Sequence, residues 1–87
     1  MEFEWDDGKD AANRAKHGVS LGQAVRLEWK EGRDIQDSRF DYGETRVTRY
    51  ALLDGRLHVC VFTTRKEVRR IISLRKANER ESIAYGI

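Results

Sequence analysis

Residues 45–74 read TRVTRYALLDGRLHVCVFTTRKEVRRIISL, and this stretch decides the fold. It contains three runs with the two-residue period of strands, at 45–53, 56–63 and 68–74. Asp54-Gly55, between the first two, is a good signal for a two-residue hairpin turn, because such turns need a left-handed backbone that these residues accept. A charged turn around Arg65, Lys66 and Glu67 links the second run to the third. In the middle run Leu57, Val59 and Val61 alternate to one face, while His58, Cys60 and Phe62 take the other. Both sets are mostly apolar, so this strand is expected at the centre of an antiparallel meander. One face should carry helices. The other face, and the strand ends near Arg65 and Arg75, are where a concave basic site is expected.

Working towards the N-terminus, Phe3-Glu4-Trp5 reads as a short extended segment. Asp6 or Asp7 is placed to cap a helix running to about His17, and Gly18 fits the left-handed position past its end. Ser20 and Gln23 have capping-box spacing with Val19 stapling inward, which predicts a second helix whose apolar stripe is Leu21, Ala24, Val25 and Trp29. From Gly32 the period changes, and 33–37 reads as a short edge strand. Towards the C-terminus, Ser73 is placed to cap a last helix over 75–85. The expected order is α-α-β-β-β-β-α: two N-terminal helices, an antiparallel sheet of about four strands and a C-terminal helix, an α+β domain.

With 87 residues the chain has room for one domain and one core. Its formal charge of +2 hides an asymmetry. Residues 1–44 hold 7 Lys/Arg against 11 Asp/Glu, whereas residues 45–87 hold 10 against 4. The basic half is densest over 65–80, where Arg65, Lys66, Arg69, Arg70, Arg75, Lys76 and Arg80 face only Glu67 and Glu79. Cations carried on a strand and helix, and not on a loose tail, form a rigid basic surface suited to phosphate, so nucleic acid is the first partner to expect. An acidic protein is the other. A single cysteine cannot form an internal disulfide, and Cys60 within Val59-Cys60-Val61-Phe62 reads as a buried small hydrophobe. Two histidines and that cysteine have no chelating spacing, so neither a metal nor another cofactor is expected. The sequence shows no signal peptide and no apolar run of membrane length, which leads to the expectation of a cytoplasmic protein without membrane contact.

Six motifs occur in order: Phe3-Glu4-Trp5-Asp6, Lys16-His17-Gly18-Val19, Gly43-Glu44-Thr45-Arg46, Asp54-Gly55-Arg56-Leu57, Phe62-Thr63-Thr64-Arg65 and Arg70-Ile71-Ile72-Ser73-Leu74-Arg75-Lys76-Ala77. In this register the chain resembles the BrnT family, the toxin half of a bacterial type II toxin–antitoxin pair. The resemblance implies a RelE-like fold and a ribonuclease activity that blocks translation. It also implies a BrnA-like antitoxin whose ribbon-helix-helix part binds promoter DNA, the toxin reaching DNA only through it. The chain departs from the pattern in two places: Lys66-Glu67 and Ala51 stand where relatives often carry glycine.

Metal-free RNA cleavage needs a base for the ribose 2′-hydroxyl, a proton for the leaving 5′-oxygen and donors for the charge gathering on phosphorus. A guanidinium suits the last task because its planar fork engages two phosphate oxygens. Arg65, at a turn between strands, is a candidate for the scissile phosphate. Arg69 and Arg70 project to opposite faces, so at most one shares a surface with Arg65. Arg69 is favoured, because Arg70 alternates with the apolar Val68, Ile72 and Leu74. Arg75, expected in the first turn of the last helix, would sit where free N–H groups already attract anions. Glu44, two residues from Arg46 on the same side of a strand, is the carboxylate candidate for a base or for orienting an arginine. His17 is the imidazole candidate for proton transfer. Arg46, Lys66, Arg70, Lys76 and Arg80 are expected to hold RNA. Each has a plainer reading as a solvated or ion-paired surface residue, and His17 also fits simply as a cation at a helix C-terminus. The alternative function is a non-catalytic nucleic-acid-binding or protein-interaction module that uses the same basic face.

Overall fold

β4 (Arg56–Arg65) lies at the centre of the sheet, flanked by β3 (Glu44–Leu53) and β5 (Val68–Lys76), with β2 (Arg33–Asp41) and β1 (Glu2–Trp5) at the two edges. The computed structural model describes residues 1–41 and 44–86, so Gly43 of the third motif lies outside the described residues. β2 to β5 form the antiparallel meander that the alternation predicts. β1 is the correction. Phe3-Glu4-Trp5 is a strand in its own right, pairing in parallel with β5 from Glu2↔Val68 to Trp5↔Ile71. The described sheet is therefore mixed and has five strands instead of about four. Four residues are too few to show a period, and their partner lies far along the chain.

α1 (Asp7–His17) forms as expected. The Asp6 side chain accepts from the Lys9 N–H at 2.9 Å, and Gly18 closes the helix at φ 75°. The predicted second helix does not form as an α-helix. Gln23 does accept from the Ser20 N–H at 2.9 Å, but the segment winds as 3-10 turns over Leu21–Arg26 and Trp29–Glu31. Leu21, Ala24 and Leu27, three residues apart, are the buried positions, a spacing that a three-residue turn aligns on one side. Val25, expected on the inward stripe, is 48% exposed. Gly22 lets this turn lie flat on Trp5, since a Cβ there would come within 3.2 Å of the indole.

The last helix is also shorter than expected. β5 continues to Lys76, and α2 (Glu79–Tyr85) begins after Asn78, whose side chain accepts from the Glu81 N–H at 2.8 Å while Glu81 accepts from the Asn78 N–H at 3.0 Å. Asn78 and Glu81, not Ser73, make the capping box.

The two faces of β4 are covered differently. Cys60 and Phe62 join Leu21, Ala24, Leu27, Ala51, Leu53, Ile71 and Leu74 in the main core, with Phe3, Trp5 and Trp29 packed against it. This is the first face. On the second face Tyr50, Leu57, Val59 and Ala77 make a smaller cluster under Leu52 and Tyr85. α1 lies against β5 beyond the end of β1. There the buried Asn13 gives its amide to Leu74 O at 2.8 Å and Val19 O at 2.9 Å, and accepts from the Leu74 N–H at 3.2 Å. One side chain thus satisfies the backbone edge that β1 leaves unpaired.

Candidate nucleic-acid interface

A single extra residue in β5 decides which cations share a face. Val61 pairs with Ser73 but Phe62 pairs with Ile71, so Ile72 bulges out of the ladder. Ile71 and Leu74, three apart, are consequently both buried in the main core. Strict alternation over 68–74 would have put Arg69 and Arg75 on the same side. With the bulge, Arg69 lies opposite Thr64 on the first face, and Arg75 lies opposite Val59 on the second. Arg75 is a strand residue, not part of a helical first turn.

The second face carries Arg46 from β3, Arg65 from β4, and Arg70 and Arg75 from β5. Arg70 stands opposite Thr63, and Arg46, one residue beyond the Val47↔Phe62 pair, flanks Thr63 from the other side. Thr63 is 3% exposed and donates to Thr45 O at 2.9 Å. Glu44 shares this face and pairs with Arg65 at 2.9 Å across the strands. Arg70 pairs with Glu4 of β1 at 3.3 Å. Arg75 reaches Glu81 of α2 through both terminal nitrogens, at 2.7 and 2.8 Å. The basic surface is therefore a sheet face whose lower half lies under α2. It is a track, not a point, because Arg65 and Arg75 are separated by six residues of β4, about 20 Å.

His17 ends α1 at the border of this face, where a hollow of about 230 Å³ is lined by Lys16, His17, Ile72 and Ser73 among others. Partial burial, with Lys16 and then Arg75 nearby, holds the imidazole below its ordinary pKa and hence neutral near pH 7. Of the expected catalytic groups, His17 lies within electrostatic reach of Arg75 at one end of the track, and Glu44 pairs with Arg65 at the other. Lys66 lies in the β4–β5 turn at the rim, and Arg80 is exposed on α2. Lys76 pairs with His58 on the first face. Larger hollows of about 420 Å³ at 27–31 and about 460 Å³ beside Ile83 bring no group of cations together.

Arg69, favoured from the sequence, is the residue furthest from that reading. Its guanidinium stacks 4.1 Å from the Trp29 ring, which Arg49 also approaches at 4.9 Å. Arg49 is anchored by two bonds to Asp34, the Nη2 bond being 2.6 Å. Burial, with Arg49 alongside, lowers the Arg69 pKa, and its Nε has no acceptor among the described residues. Trp29 rests edge-on against Phe62 at 5.2 Å and donates to Ala24 O at 2.9 Å, as a core indole does.

Two residues of the second face were absent from the sequence reading, Tyr50 and Glu81. The Tyr50 hydroxyl donates to Glu81 at 3.1 Å, and its ring stacks on Tyr85 at 4.3 Å. The Asn-x-x-Glu spacing at 78–81 was the available signal for Glu81. Among the described residues no three His, Cys, Asp or Glu side chains cluster as metal ligands would, and no helix is long and apolar enough to cross a membrane.

The family model for the ribonuclease toxin BrnT of type II toxin–antitoxin systems matches residues 5–81. A search of curated proteins found no match.

Proposed function

The chain belongs to the BrnT family of ribonuclease toxins of type II toxin–antitoxin systems, and we propose that its second face is the surface that binds and cuts RNA. A toxin of this class has RNA as its substrate and a protein antitoxin as its partner. The observation that carries the proposal is the placement of Arg46, Arg65, Arg70 and Arg75 on one sheet face, with a neutral imidazole at the border. A phosphate chain laid along that face meets a guanidinium at each end of its roughly 20 Å length. Arg65, Arg46 and Arg70 hold the strand, Lys66 and Arg80 flank it, and Glu44 orients Arg65.

The chemistry belongs at the His17–Arg75 end. His17, unprotonated near neutral pH, takes the proton of a ribose 2′-hydroxyl. The 2′-oxygen attacks phosphorus, the bond to the 5′-oxygen breaks, and that oxygen takes a proton from water. The products are a 2′,3′-cyclic phosphate and a 5′-hydroxyl. Arg75 stabilises the charge that builds on the phosphorane oxygens. Glu44 is too far along the track to share this step. Cutting RNA in this metal-free way in the cytoplasm would block translation, and a ribbon-helix-helix antitoxin covering the basic face would neutralise it.

The test is incubation of the folded, antitoxin-free chain with RNA in EDTA, beside His17→Ala and Arg75→Ala. Cleavage by wild type with cyclic-phosphate ends, and a loss of about 100-fold or more in either variant, is the expected outcome. Intact RNA with folded wild type would overturn the enzymatic reading. RNA retention without cleavage would leave the binding-module reading in its place.

A further inference from the structure

The three carboxylates that meet second-face arginines hold them unequally. Glu44 and Glu4 touch Arg65 and Arg70 at 2.9 and 3.3 Å, with the arginine side chains 71% and 40% exposed. Exposed pairs of that kind are weak and give way to a competing anion. Glu81 grips both terminal nitrogens of Arg75, whose side chain is 36% exposed, so this pair is set apart by its two-bond geometry and not by the arginine's exposure. It also accepts from the Tyr50 hydroxyl and the Asn78 N–H, so its oxygens are fully engaged. These bonds, led by the one from Arg75, hold its pKa down at about 2.

The capping role alone does not call for this charge, because a capping box works with Gln as well as Glu at the third position. Arg75 makes the largest use of the ionised carboxylate. The fork that a guanidinium offers a carboxylate is the fork it offers a phosphate. Building on the proposed role of the second face, we infer that Glu81 sets the affinity of this surface for RNA: its carboxylate occupies the edge of Arg75 that a phosphate would take, and RNA binds there by displacing it. α2 is suited to such an exchange. It has seven residues, none of them buried, and Ile83 is 80% exposed. Its hold on the sheet is concentrated in Glu81 and in Tyr85, which stacks on Tyr50.

The experiment compares wild type, Glu81→Gln, Tyr50→Phe and Glu81→Gln/Arg75→Ala in the full chain. The probe is a short single-stranded RNA oligonucleotide blocked against cleavage by 2′-O-methyl groups, titrated over a salt series. Circular dichroism and melting curves confirm that each variant is folded. Glu81→Gln should bind on the order of tenfold more tightly at low salt, with the slope of log K against log salt steeper by about 0.7, the signature of one more phosphate contact. Tyr50→Phe should shift the same way by less, and the double variant should lose the gain. A folded Glu81→Gln that binds no better than wild type, or a gain that survives loss of Arg75, overturns the inference. Should wild type bind no RNA at any salt, the reading of the face fails. Glu81→Gln would then decide the inference separately: binding that depends on Arg75 sustains it, and no binding refutes it.

Discussion

The two hairpin turns of this sheet share a backbone shape but not a sequence, so one can serve as the reference for the other. Between β3 and β4, Asp54 and Gly55 sit at φ 51° and 80°; between β4 and β5, Lys66 and Glu67 sit at 50° and 66°. Both are two-residue turns with positive φ at each central position, the shape that matches strand twist. A side chain in this region costs roughly 1–2 kcal/mol, whereas glycine costs about 0.5–1 kcal/mol through the freedom it loses on folding. Replacing Glu67 by glycine should therefore stabilise the protein by roughly 0.5–1 kcal/mol, or about 2–8 °C in Tm for a domain of this size. Glu67 is exposed and has no ion-pair partner among the described residues, so no such contact is lost. The control is Gly55→Ala in the other turn. No atom lies within 4 Å of the Cβ it would add, so the expected loss of about 1 kcal/mol comes from φ alone. Thermal and urea unfolding followed by circular dichroism measure both. If Glu67→Gly leaves Tm unchanged or lowers it while Gly55→Ala destabilises, the reasoning from φ is wrong for the turn beside Arg65.

Asn13→Leu should cost about 2–4 kcal/mol in urea unfolding, because it strands the Leu74 N–H and C=O and the Val19 C=O away from water; a loss below 1 kcal/mol would mean that water replaces the amide. Glu81, whose pKa falls from 4.5 to about 2 on folding, contributes stability that is complete above about pH 5 and is lost as pH falls towards 2. The amount is at most about 3 kcal/mol, and Glu81→Gln should flatten the acid limb of the stability profile. Cys60, whose thiol burial pushes up to about 12, should resist thiol reagents at pH 8 in the folded protein and react only at the rate of unfolding.

Much of the sheet was legible because its signals are local. Alternation in Leu57–Phe62 depends only on neighbouring residues, and it correctly placed β4 at the centre of the sheet. The Asp54-Gly55 turn, the Asp6 cap and the Gly18 stop are likewise set within four residues of chain. The 3-10 turns were misjudged because Ser20 and Gln23 open either kind of helix, and the three-residue spacing of Leu21, Ala24 and Leu27 acquires meaning only against the sheet. The last helix was placed too early because Ser73 and Asn78 are both capping residues, and β5 keeps its hydrogen bonds to β4 as far as Lys76.

For the site, the sequence by itself determined which residues are basic and that they ride on strands, and so what chemistry the surface can attract. Which of them face the same way was decided only in three dimensions. A strand's side chains flip with every residue, so the one-residue bulge at Ile72 turns Arg75 to the second face, while Arg69, on the turn side of the bulge, stays on the first face against Trp29. The same holds for Glu4 beside Arg70 and Glu81 beside Arg75. The parallel β1–β5 pairing, with Glu4 opposite Arg70, joins residues about 66 positions apart in the chain; contacts of that range follow from the packing of the whole chain and leave no periodic trace in either segment.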